Sequence, residues 1–123
     1  MKVISLEEMR VTNSDDTGNV LGVEAKEWFG KTRNESSFAS NAFDNAEAEE
    51  LVNSLYDAGA ELVIVGEILS EEYRIEDEGD PYSATLFIKV CKECESAVKD
   101  VIIDCKPDEY SIEKDGMLRI WWD

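Results

Sequence analysis

The run Asp44-Asn-Ala-Glu-Ala-Glu-Glu-Leu-Val-Asn-Ser-Leu-Tyr-Asp-Ala-Gly59-Ala-Glu-Leu-Val-Ile-Val-Gly-Glu-Ile-Leu69 changes its hydrophobic period at its centre. Before Gly59, the apolar residues Ala48, Leu51, Val52, Leu55 and Tyr56 recur at the spacing that puts them on one face of a helix. Asp44, with Glu47 three residues on, has the form of a capping box. Gly59 can take the left-handed conformation that ends a helix at little cost. The spacing therefore predicts a helix over 44–58. From residue 61 to 69 the chain is apolar on both faces at its middle, which predicts a strand in the centre of a sheet.

Working outward, residues 84–90 read as a second strand, with Ala84, Leu86, Ile88 and Val90 on one face. Residues 91–104 carry the helical stripe Cys91, Cys94, Val98, Val101, Ile102 and Cys105, stopped by Pro107. Residues 117–123 read as a last strand, after a polar loop over 106–116 closed by Asp115-Gly116. Residues 70–82 read as a charged connection. Residues 36–43 are expected to be a strand anchored by Phe38 and Phe43. From residue 36 the order is then strand, helix, strand, strand, helix, strand. That is the order of a ferredoxin-like α+β sandwich, with two helices on one face of an antiparallel sheet.

The N-terminal third is less regular. Val3, Ile4, Leu6, Met9 and Val11 fit a strand or a short helix, residues 12–19 a loop, and Leu21, Ala25, Trp28 and Phe29 a helix over 20–32 closed by Gly30. The expected organisation is one domain over 1–123, with residues 1–35 an extension packed on a 36–123 core. A length of 123 residues suits a single domain.

Composition sets limits on function. Asp and Glu number 29 against 12 Lys and Arg, for a net charge of -17. Such a field repels phosphate backbones and anionic membranes, so direct nucleic-acid or membrane binding is not expected. The acidity either serves only to keep the chain soluble or meets a basic protein partner. The sequence contains no His, which removes Ser-His-Asp and Cys-His catalysis and His-ligated zinc. Acidic residues precede any apolar run of signal-peptide length, and no stretch approaches a membrane span. The expected location is the cytoplasm.

Three features could carry function. Cys91 and Cys94 form a CxxC at the start of a helix, where a thiol can be activated for redox chemistry. Both also continue an apolar stripe, and core packing is the favoured reading of the pair. Cys91 and Cys105 stand too far apart on one helix to share a metal, so no metal or cofactor is expected. The second feature is the acidic stretch with Glu71, Glu72, Glu76, Asp77, Glu78 and Asp80, read either as a solvated connection or as a recognition loop for a basic partner. The third is Trp121-Trp122. Neighbours on a strand point to opposite faces, so one Trp joins the core and the other is left for the open face. Trp122 is read either as an interface anchor, with a homodimer through the open sheet face as one use of it, or as a ring packed under the N-terminal extension.

These readings favour a non-enzymatic acidic binding module, in concrete form an immunity-type or nucleic-acid-mimicking inhibitor of a basic partner. A small thiol oxidoreductase using Cys91 and Cys94 is the alternative from another class. A housekeeping domain with no activity of its own is a third.

Overall fold

A computed structural model describes residues 1–12 and 21–123. Along the chain the elements are β1 (Lys2–Val3), α1 (Leu6–Arg10), β2 (Leu21–Glu24), α2 (Ala25–Lys31), α3 (Asn45–Asp57), β3 (Ala60–Gly66), α4 (Glu72–Glu78), β4 (Thr85–Val90), a 3-10 turn (Lys92–Cys94), α5 (Glu95–Cys105), β5 (Glu109–Ile112) and β6 (Leu118–Trp121). The fold is mixed α+β. Among the described residues six strands form one open sheet in the order β1-β2-β3-β4-β6-β5, accompanied by five α-helices. Among these strands β1 and β2 run parallel, and the other neighbours are antiparallel.

The decisive helix forms as its sequence dictates. Asp44 accepts from Glu47 N at 2.8 Å and Glu47 Oε1 accepts from Asp44 N at 3.1 Å, closing the capping box. Ala48, Leu51, Val52 and Leu55 are buried against the sheet. Val63 and Val65 of β3, Leu86 and Ile88 of β4, and Leu118 and Ile120 of β6 supply the facing surface of the same core. Val98 and Ile102 of α5 and Trp28 and Phe29 of α2 complete it. On the other sheet face Ile64, Phe87 and Arg119 are register neighbours. A Cβ on Gly66 would lie 2.5 Å from Phe87 Cε2, so only glycine lets that ring lie across β3.

The ferredoxin-like order is not what the chain adopts. Residues 36–43 make a single bridge, Phe38 to Ser83, and then turn, with Ala39 at φ 41 and both Ala42 N and Phe43 N donating to Ala39 O. The physical reason lies in the spacing of the two phenylalanines. Five residues apart on a strand they would point to opposite faces. Here both pack edge-on to Trp122, at 5.9 and 5.1 Å between ring centroids, and a turn is what brings them to one side.

Residues 1–35 are not an added layer. They contribute β1 and β2 to the sheet and Leu6, Met9, Trp28 and Phe29 to the shared core. The helix expected over 20–32 is confined to Ala25–Lys31, because Leu21–Glu24 pairs with β3 as a strand. Glu24 ends that strand and caps α2, accepting from Lys26 N at 2.8 Å and Glu27 N at 3.0 Å. Gly30 lies inside α2 and does not close it. The N-terminal segment contains both of the elements weighed for it, since Ser5 caps α1 directly after β1. Most of the loop expected over 12–19 lies outside the described residues. The connection at 70–82 contains α4, and the expected polar loop at 106–116 contains β5.

Candidate interaction surfaces

The acidic stretch is folded onto α4 and its flanks, and its members have different fates. Arg74 holds Glu71 at 2.7 Å and approaches Glu78 at 3.9 Å. The hydrogen bond from Arg74 draws the Glu71 carboxyl below its ordinary range, and the same bond raises Arg74. The Arg74 guanidinium also lies 5.9 Å from the ring centroids of both Tyr73 and Tyr82. Glu72, Glu76 and Asp77 are exposed and make no ion pair among the described residues. Gly79, at φ 82, closes α4 with its N–H on Ile75 O.

Asp80 does not belong with them. Its side chain is fully buried, with one oxygen on Arg10 Nη2 at 2.7 Å and the other accepting from Arg33 N and Asn34 N, each at 2.7 Å. A carboxylate saturated in this way ties three segments together and has nothing left for a partner. Trp122 is likewise withdrawn from the surface. Its ring packs against Phe38 and Phe43, and its Nε1 donates to Cys105 O at 3.2 Å. Trp121 takes the open-face position in its place, beside Glu109 in the register, and is half-buried.

The open sheet face has little apolar surface to offer. Ile64 and Phe87 at its centre are buried, and Arg119 spans it. Arg119 forms a two-point pair with Glu67 at 2.5 and 2.7 Å and reaches Glu109 at 3.0 Å. Bonding to Glu67 raises the Arg119 pKa further above its usual value.

Cys91 and Cys94 do come together, at the turn between β4 and α5. A hydrogen bond with Cys91 raises the Cys94 thiol, so the contact opposes thiolate formation there. Gly59, at φ 110, packs directly on Cys94, and a Cβ there would sit 2.5 Å from its sulfur. Cys105 lies at the far end of α5. Burial pushes its thiol up to about 11, and its Sγ donates to Ile102 O at 3.1 Å. Among the described residues no group of three or more Cys, Asp or Glu side chains is placed to hold a metal ion. No helix among them is long and apolar enough to cross a membrane.

One surface lies outside all of these expectations. Tyr110 and Ile112 of β5 project on the helix side of the sheet, opposite Ile120 and Leu118 in the register. With Ile102, Ile103, Pro107 and the stem of Lys99 they line an open groove of about 370 Å³. Ile103 is 69% exposed and Ile112 60%. Single exposed apolar residues are ordinary, but a contiguous group beside a sheet edge is not. The signal in the sequence was the alternation Glu109-Tyr110-Ser111-Ile112-Glu113 followed by Asp115-Gly116, which is a short amphipathic strand and a turn.

No protein-family model, curated protein or solved structure matches this chain.

Proposed function

We propose that this chain is a non-enzymatic protein-binding module whose acidic surface meets a basic partner, an immunity-type or nucleic-acid-mimicking inhibitor being its concrete form. The observation that carries the reading is the outer ridge of α4. Glu72, Glu76 and Asp77 face solvent there beside the exposed ring of Tyr73, in a chain of net charge -17. Carboxylates fixed on a helix and left without internal counter-charge project a negative field toward any basic surface. Arg74, bonded to Glu71 at the start of α4 and 5.9 Å from the ring of Tyr82 beyond its end, ties the helix to the segment before β4, so less ordering remains to be done on binding. Tyr73 adds the aromatic contact that interfaces favour.

The test is capture from the source cell's lysate at low and high salt, comparing the native chain with a Glu72→Lys, Glu76→Lys, Asp77→Lys variant. The expected result is one basic protein retained by the native chain at low salt, released as salt rises, and not retained by the variant. Equal retention by both, with the same salt dependence, would overturn the reading.

A further inference from the structure

The outer edge of β5 has no strand beside it among the described residues, because β5 ends the sheet. An unpaired edge presents a row of backbone N–H and C=O groups that template another strand. Most proteins blunt such an edge. Here it is bordered by the groove of Ile103, Tyr110 and Ile112, so backbone pairing and apolar burial are offered side by side.

We infer that β5 and the groove against α5 form a docking site for an extended segment of a basic protein, added to the sheet as a seventh strand with alternate side chains apolar and cationic. The inference rests on the reading of a basic partner and adds where and how that partner docks. The alternation follows from the pleat. Side chains on the helix side of an added strand fall into the groove beside Tyr110 and Ile112. Those on the other side fall beside Glu109, which Arg119 already holds at 3.0 Å, beside Ser111, and beside Glu113, which makes no ion pair among the described residues. Asp100 and Asp104 are exposed on α5, the helix that gives Ile102 and Ile103 to the groove, and add to the acidity of that end of the molecule. Lys99 in the groove wall is already paired with Glu95 at 2.8 Å and offsets little of that charge.

A second copy of this chain is the poorer occupant. Two edges paired so that Tyr110 meets Ile112 of the other copy would set Glu109 directly opposite Glu113. Like charges across a strand pair are destabilising, and each copy carries a net charge of -17. A cationic strand meets the same edge with complementary charge.

The test uses the synthetic peptide Lys-Val-Lys-Ile-Lys-Val-Lys, with Glu-Val-Glu-Ile-Glu-Val-Glu as control, titrated into the whole chain and followed by amide shifts. The cationic peptide is expected to bind in low salt and to perturb 109–113 and α5, while the acidic control does not bind. Ile103→Ser and Ile112→Thr remove apolar surface at exposed positions without altering charge or threatening the fold. Each is expected to weaken binding by about tenfold, the loss typical of an interface anchor. Shifts confined to α4 would overturn this docking site and leave the basic-partner reading standing. Absence of binding at any site would overturn both. Sedimentation as a dimer that Ile112→Thr dissociates would show the edge to be a self-association surface and would overturn the inference.

Discussion

Arg10 on α1 and Asp80, beyond the end of α4, meet at 2.7 Å although 70 positions separate them in the chain. The other Asp80 oxygen holds the backbone N–H groups of Arg33 and Asn34. One buried carboxylate thus joins the N-terminal helix, the segment after α2 and the entry to β4. Asp80→Ala would leave a guanidinium and two amide donors facing an emptied site. Removing one member of a buried ion pair costs about 3–5 kcal/mol. Arg10 is partly exposed and can recover some water, so the lower end, about 3 kcal/mol, is expected. Asp80→Asn should lose less, because one acceptor oxygen remains. Urea unfolding of the two variants measures this. A loss below about 1 kcal/mol for Asp80→Ala, no more than an exposed pair contributes, would refute the structural role.

Tyr56 gives a prediction on pH. Burial raises its pKa from 10.0 to about 12, helped by the bond that its hydroxyl donates to Glu24 at 2.7 Å and opposed by the bond it accepts from Val63 N at 3.0 Å. The folded state therefore holds the phenolic proton more tightly than the unfolded chain does. That contribution is complete below pH 10 and is lost as pH rises toward 12. Stability should fall across this window, and one tyrosinate absorbance step should titrate late. Tyr56→Phe should be less stable at neutral pH by about 1 kcal/mol, the net value of a hydrogen bond, and should lose this part of the alkaline decline. An unchanged alkaline decline in the variant would exclude Tyr56 as its source.

The sequence was most legible where one local signal was enough. The capping box and apolar stripe define α3, and the doubly apolar run defines β3, because local rules and tertiary packing agree there. Residues 36–43 misled because composition suggested a strand, while Phe38 and Phe43 had to reach the same ring of Trp122. Leu21–Glu24 was hidden because its strand runs without a break into α2, with Glu24 serving as strand end and cap at once. The acidic residues looked alike in sequence. Only the fold separates Asp80, buried against Arg10, from Glu76 and Asp77, which face water. β5 went unread because a four-residue strand of Glu, Tyr, Ser and Ile is short and half polar, and its partner is the strand that follows the turn.

Lys106 ends α5 at φ 49 and ψ 60, a left-handed conformation that a side chain adopts at a cost. It is exposed and makes no ion pair among the described residues. Lys106→Gly should therefore stabilise the fold by about 0.5–1 kcal/mol, the relief of that strain offsetting the greater freedom that glycine gives the unfolded chain. A higher denaturation midpoint with an unchanged slope is the expected result. Destabilisation would mean that the lysine stem packs on α5 more strongly than the strain opposes it.

The cysteines can be ranked by reactivity, and the ranking bears on the thiol chemistry that a CxxC suggests. The nucleophile is the thiolate. Burial holds the Cys105 thiol near 11, and hydrogen bonding to Cys91 raises Cys94. Alkylation at neutral pH should leave Cys105 unmodified until the protein unfolds, and Cys94 should react more slowly than a free cysteine. Peptide mapping after timed alkylation reads both rates. Raising the pH toward 11 should release Cys105 only as its own thiol ionises, whereas mild denaturant should release it at neutral pH by opening the contact between α5 and Trp122. Fast neutral-pH alkylation of Cys94 would reverse this order. It would show that the turn after β4 activates its thiol instead of restraining it, and would restore the redox reading of the pair.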